Sequence, residues 1–146
     1  MRFLDDDGQF GLLVSPLSGH RMLRFHLIVD GRLVGDSEGC IIGSVMTQLK
    51  NRPRIDDRRL DLLDIDLFKF MELLAVDEFL HDVTTMSSVE SLDRWTVYSY
   101  VRGERFIIVA QEAGTLEPSP IFMTNIEEVD FNSVVDAARN YWLNLQ

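Results

Sequence analysis

Cysteine is almost missing: Cys40 stands alone in 146 residues, so no internal disulfide can form and a secreted, disulfide-stapled scaffold is excluded. Long apolar runs are missing too. The longest, such as Leu73 to Val76 and Phe106 to Ala110, hold four to five residues, whereas a membrane-spanning helix needs about 20. The first residues, Met1-Arg2-Phe3-Leu4-Asp5-Asp6-Asp7-Gly8, place three acids where a signal peptide carries its apolar stretch. A soluble, cytoplasmic protein without a leader is the expectation. Cations are scarce: 14 Lys and Arg face 24 Asp and Glu, for a net charge of −10. Binding through a phosphate backbone wants a basic footprint, so direct nucleic-acid binding is not expected. The charge points instead to a basic partner, or to no charged partner at all.

The composition that remains, 46% hydrophobic and 26% charged, is that of an ordinary globular chain. It excludes disorder, collagen-like repeats and coiled coil. A chain of this length buries roughly two-thirds of its unfolded surface, so one domain over residues 1–146 is expected, with no need of metal or disulfide. The charge is lopsided: residues 1–73 hold 10 basic and 12 acidic groups, whereas residues 74–146 hold 4 and 12.

Leu23, Phe25, Leu27 and Val29 share one face at period 2, with Arg24 and His26 opposite, as a half-buried strand requires. Asp30-Gly31 tolerates the positive φ of a type I′ turn, and Arg32-Leu33-Val34 returns as its partner. An earlier strand is read from Gln9 to Val14, closed by Pro16 and Ser18-Gly19. A short helix is read from Ile41 to Lys50, with Ser37 as a candidate cap and Glu38 early, ended by Arg52-Pro53-Arg54. Residues 64–82 form the strongest helical stretch. Asp64 offers a cap, and Ile65, Phe68, Met71, Leu74, Ala75 and Phe79 recur at helical spacing. Leu67, Phe70, Leu73, Val76 and Leu80 widen the apolar face until burial on two sides is expected. Thr84 to Ser88 reads as a connection or edge strand. Arg94 to Val101 and Glu104 to Gln111 form a second hairpin about Arg102-Gly103, and the return strand is apolar on both faces and therefore central. Ile121 to Met123 is a short strand. Phe131, Val134, Val135, Ala138, Tyr141, Trp142 and Leu145 mark an amphipathic terminal helix capped by Asp130. The expected fold class is α+β: one antiparallel sheet of about five to six strands covered on one face by two main helices, about 65–81 and 131–145.

Patterns that would carry chemistry are incomplete. Gly31, Gly35, Gly39 and Gly43 recur every four residues, but a phosphate loop needs a lysine that is absent before Lys50, and Asp36 and Glu38 would repel the ligand. Asp77 and His81 stand at helical spacing beside Glu78 and Asp82, while His20 and His26 lie far away in sequence, short of a zinc set. Asp5-Asp6-Asp7-Gly8 opens like a calcium loop, but Pro16 stands where the closing glutamate belongs. Cys40 with His26 has nothing to fix a nucleophile pair, and no Gly-x-Ser-x-Gly elbow occurs. Lys50 to Arg59 carries five cations and two acids, and reads as a solvated crossover in preference to a phosphate contact. No catalytic, cofactor-binding or metal residues are assigned, and no enzyme activity is expected.

A binding module remains. The run Phe25-His26-Leu27-Ile28-Val29-Asp30-Gly31-Arg32-Leu33-Val34-Gly35-Asp36 resembles the opening of bacterial immunity-protein families that accompany contact-dependent growth inhibition and other polymorphic toxins. Trp95-Thr96-Val97-Tyr98, its return Arg105-Phe106-Ile107-Ile108-Val109, and Glu127-Glu128 before a terminal helix are similar in order. The resemblance implies a cytoplasmic antitoxin, a monomer or weak homodimer. It would bind a cognate toxin domain, often a nuclease with a basic active site, and block it without chemistry of its own. It carries over no contact residue. The alternatives are an acidic type III secretion chaperone, which the strand-and-turn start disfavours, and a small enzyme. From the residues alone, the candidate partner surface is the acidic group Glu112, Glu117, Glu127, Glu128 and Asp130, with Trp95, Tyr98 and Tyr100 beside it as aromatic anchors; the alternative puts Trp95 in the core, packs the tyrosines on the terminal helix and leaves the acids as solvating groups. Asp5, Asp6 and Asp7 are expected to be idle.

Overall fold

A computed structural model describes residues 1–17, 22–36, 39–61, 66–86, 92–114 and 117–145. The expected Ser18-Gly19 turn, His20, the Ser37 cap with Glu38, the Asp64 cap with Ile65, and Ser87-Ser88 lie outside these residues. The first half builds a five-stranded antiparallel sheet from β1 (Arg2–Leu4), β2 (Phe10–Pro16), β3 (Met22–Val29), β4 (Arg32–Val34) and β5 (Gly39–Ile41). The order is β1-β2-β3, with β4 and β5 both on the far edge of β3, at opposite ends of it. Asp30 at φ 52° and Gly31 at φ 72° make the β3–β4 turn as their residue types predict. Register puts Leu12, Val14, Phe25 and Leu27 on the inner face, all fully buried.

The chain continues into α1 (Ile42–Lys50), a 3-10 turn (Arg58–Leu60), α2 (Leu67–Val76) and α3 (Glu78–Thr84). A three-stranded meander follows, β6 (Trp95–Arg102), β7 (Arg105–Glu112) and β8 (Ile121–Glu127), and the chain ends in α4 (Glu128–Asn144). The expected single sheet is therefore two, of five and three strands. β7 is central, as its two apolar faces require.

The small sheet is covered on both faces, not one. Val97, Val101, Phe106, Ile108, Ala110 and Ile126 point into the main core with the large sheet, α1 and α4. At its centre Phe106 stacks on Phe131 of α4 at 3.7 Å, and Phe10 of β2 meets both rings at 5.2 and 5.4 Å. Thr124 pins the two sheets together: its hydroxyl accepts from the Asp30 N–H at 2.7 Å and donates to the Gln9 carbonyl at 2.9 Å. The other face carries Tyr98, Tyr100, Ile107 and Val109 beneath Phe70, Met71, Leu74 and Leu80 of α2 and α3.

The expected helix over 64–82 is two helices. Asp77 takes extended dihedrals (φ −72°, ψ 111°), closing α2 and capping α3, with Oδ1 accepting from the Leu80 N–H at 3.0 Å. Helical apolar spacing survives the break, because both pieces bury the same side. Burial on two sides does not occur: Phe68, Val76 and Phe79 remain 60%, 76% and 65% exposed. The terminal helix begins at Glu128, two residues before Asp130, with Glu127 as the N-cap residue and no side-chain capping bond.

Lys50 to Arg59 is largely a structural strap. Val101 N–H donates to Pro53 O and Ile55 N–H to Val101 O, both at 2.8 Å, so the strap adds a short parallel pairing to the edge of β6. Arg52 turns inward, donating to Gln48 O at 2.8 Å, Ser99 Oγ at 3.0 Å and Thr84 O at 3.4 Å. Two of those acceptors lie in the last turns of α1 and α3, where the helix dipole is negative and a cation is favoured. Burial still pulls the Arg52 pKa downward.

Candidate functional site

β8 passes directly into α4, and the Glu128 N–H donates to the Glu104 carbonyl at 2.8 Å. The β6–β7 turn is thereby held against the start of the helix. A cleft of about 480 Å³ opens there, lined by Glu104, Arg105, Glu127, Glu128, Val129 and Asn132. The cations nearby are committed. Arg105 donates to Asn125 Oδ1 at 2.8 Å and to its carbonyl at 2.6 Å. Arg54 donates to Glu128 Oε1 and to the Gly103 carbonyl, each at 2.6 Å. Glu104 and Glu127 are exposed and form no ion pair among the described residues.

A second cleft of about 420 Å³ flanks the other side of the same helical turn, between β1 and α4, with Asp5, Asp6, Asp130 and Arg2 on its walls. The pairing of β1 with β2 and a ring contact between Phe3 and Tyr141 at 5.6 Å bring the N-terminus here. Asp5 also caps its own turn, accepting from the Phe10 N–H at 2.9 Å. Six carboxylates thus surround the first turn of α4 from three chain segments: Asp5, Asp6, Glu104, Glu127, Glu128 and Asp130. Acids are favourable at that positive helix end, and six of them against Arg2, Arg54 and Arg105 leave this end of the molecule net anionic.

The residues picked out from sequence are not brought together as one surface. Glu127, Glu128 and Asp130 share the helix start. Glu112 and Glu117 are exposed at the opposite end of β7, about 23 Å away at strand rise. Tyr98 and Tyr100 are corrected outright as surface anchors: they are 2% and 0% exposed beneath α2 and α3. They do not pack on the terminal helix either. Trp95 is half-buried against the main core, 6.3 Å from Phe122. Sequence reading missed Glu104, and it took Asp5 and Asp6 for idle groups although they flank the same helical turn. A three-residue strand such as Arg2–Leu4 carries too short an alternation to announce that pairing.

The patterns weighed for catalysis are separated or already engaged. Cys40 is buried on the inner face of the large sheet, opposite Leu23, while His26 pairs with Leu13 on the outer face. Strand parity keeps the two apart. Desolvation lowers the pKa of His26, partly offset by Asp36. Asp77 serves Leu80 and Arg59, and His81 shares a 3.2 Å hydrogen bond with the Tyr98 hydroxyl. Among the described residues no three His, Cys, Asp or Glu side chains are placed to hold a metal ion, and no helix is long and apolar enough to cross a membrane.

No family model matches the sequence, and no curated protein matches it. Among solved structures, CdiI from Burkholderia dolosa is similar over 97% of this chain and 99% of its own, with a TM-score of 0.66 at 13% identity. Layered over nearly the whole length of both chains, the two sheets and their helices follow the fold of CdiI, a contact-dependent growth-inhibition immunity protein.

Proposed function

We propose that this chain is a cytoplasmic immunity protein that binds a cognate toxin domain with a basic surface and neutralises it without catalysis of its own. The observation that carries the reading is the end-to-end correspondence with the CdiI fold, 97% of one chain on 99% of the other. The anionic end around the start of α4 supports the choice of partner. Opposed fields accelerate encounter and select against wrong partners. Inhibition follows from occupation: a protein seated on a basic active site denies it substrate. The whole chain, residues 1–146, acts as one unit in this role.

The test pairs the protein with a candidate toxin domain of basic surface. Co-expression should restore growth, and the purified pair should associate more slowly as salt rises. Glu104→Lys with Glu127→Lys, two exposed groups, should slow association by about tenfold or more at low ionic strength and weaken its salt dependence. Glu112→Lys with Glu117→Lys makes the same charge change at the far end and should do much less. Equal effects would remove the α4 end as the contact surface. A toxin unaffected by co-expression would remove the function.

A further inference from the structure

The middle of β3 holds a titratable ring at a gap in the large sheet. β4 pairs with Leu27, Ile28 and Val29, and β5 pairs with Met22, Leu23 and Arg24. Phe25 and His26 are left between them, and neither strand pairs with them on the far edge. Phe25 turns inward and is fully buried. His26 turns outward beside Leu13 and is half-buried. Its Nδ1 is sealed from solvent and has no hydrogen-bond partner among the described residues. Buried polar atoms are nearly always bonded, so this nitrogen marks a weak point in the sheet.

The surroundings suit the neutral ring alone. With the proton on Nε2, the buried Nδ1 presents only a lone pair. Protonation places an N–H on both nitrogens, and the one on Nδ1 becomes a charged donor that nothing accepts. The groups facing the ring add to that cost. Arg24 lies two residues along β3 on the same face, about 7 Å away at strand rise. Arg2 of β1 stands in the same row, beyond Leu13. Neither forms an ion pair among the described residues. On this face β4 and β5 offer Leu33, Gly39 and Ile41, none of them charged, and Ile28 follows along β3. Asp36, in the connection from β4 to β5, favours the charged ring, but burial outweighs it and holds the pKa below its ordinary value.

We propose that His26 is an acid-sensitive lock on the far edge of the large sheet: the neutral ring keeps the gap between β4 and β5 shut, and a proton drives it toward water and loosens both strands. The unfolded chain takes up this proton near its ordinary value of about 6.5, before the folded chain does. Stability is therefore lost as pH falls from about 7 through the folded value. The Asp57 and Asp77 carboxyls lose their contribution only below about pH 4, so a series from about pH 7.5 to about pH 5 isolates the imidazole. Nitrogen NMR of the wild-type ring should show the proton on Nε2 at the upper end and a titration midpoint below about 6.5. Hydrogen exchange, corrected for intrinsic rates, should show the β4 and β5 amides losing about tenfold in protection at the lower end while β7 holds. His26→Gln keeps a polar side chain without the titration and should abolish that response. His81→Gln, which removes an imidazole from α3, should leave it in place. A midpoint at or above about 6.5 overturns the proposal whether or not the variants fold. So does a response that survives His26→Gln, disappears with His81→Gln, or spreads equally to β7.

Discussion

The two faces of the three-stranded sheet solve the same problem by different means. The inner face is closed by aromatic rings, Phe106 on Phe131 and both on Phe10, and by one threonine that satisfies backbone groups of the other sheet. Among the described residues, no ion pair enters that core. The outer face is covered by two short helices that bury one side only, and charges hold its margin: Arg59 on Asp57 and Asp77, and Arg102 on Asp61 at 2.8 Å. Close packing supplies stability where a surface can be enclosed. Where the covering layer is thin, exposed ion pairs set its position and contribute little each. The thin layer is also the one that leaves Phe68, Val76 and Phe79 exposed.

The comparison breaks first at Phe106. It is fully buried at the junction of both sheets and α4, so Phe106→Ala should cost roughly 3–5 kcal/mol in urea unfolding. The loss should register equally in probes on the large sheet and on α4. A cost under about 1 kcal/mol would mean the three-ring stack is not the joint described.

Some of this division was readable in the sequence, and the limit is physical. The Asp30-Gly31 hairpin, the amphipathic α4 and the two-faced apolar character of β7 are local patterns, and the structure contains all three. The period-2 alternation of β6 correctly puts Tyr98 and Tyr100 on one face, but which face is covered depends on how α2 and α3, the two helices before β6, fold back on it, and no local period encodes that. The partition into two sheets depends likewise on long-range pairing. The break at Asp77 is masked because α2 and α3 keep one apolar stripe across it. Its signal is an aspartate three residues before Leu80, a capping spacing hidden inside a strong helical period. For the acidic end, adjacency revealed Glu127 and Glu128, whereas Asp5 and Asp6 arrive through the pairing of β1.

A smaller effect separates the two faces by pH. Hydrogen bonds from Arg59 hold the Asp57 carboxyl below the usual carboxylate range, and the Leu80 N–H, followed by Arg59, does the same for Asp77. A depressed folded-state pKa stabilises above the unfolded value, about 3.9 for Asp, and that contribution disappears as pH falls through the folded value. Arg59→Ala should therefore lower the melting temperature near neutral pH, and its difference from wild type should shrink below about pH 4. High salt should shrink it as well, because the groups are exposed. Hydrogen exchange should show the loss in α2 and α3 before β7. A pH-independent difference would mean that Arg59 acts by packing and not by clamping the two carboxylates.

The smallest effect lies beneath that layer, in two tyrosines one turn of the pleat apart. The Tyr98 hydroxyl is bonded to His81 Nδ1 at 3.2 Å. The Tyr100 hydroxyl is buried and has no hydrogen-bond partner among the described residues. A buried hydroxyl that has lost water without gaining a partner is a cost, whereas a bonded one contributes about 1 kcal/mol net. Tyr100→Phe should accordingly leave stability unchanged or raise it by up to about 1 kcal/mol, and Tyr98→Phe should lower it by a similar amount. Burial also pushes the Tyr100 pKa far above its ordinary value, so the folded chain keeps this proton where the unfolded chain releases it. Wild-type stability should then fall as pH rises past about 10, and Tyr100→Phe should remove part of that fall. Opposite signs for the two substitutions at neutral pH, measured by urea unfolding, are the expected result. Equal losses would show that the Tyr100 hydroxyl is bonded in solution, and that the layer over it is wetter than the closed core on the other side of the sheet.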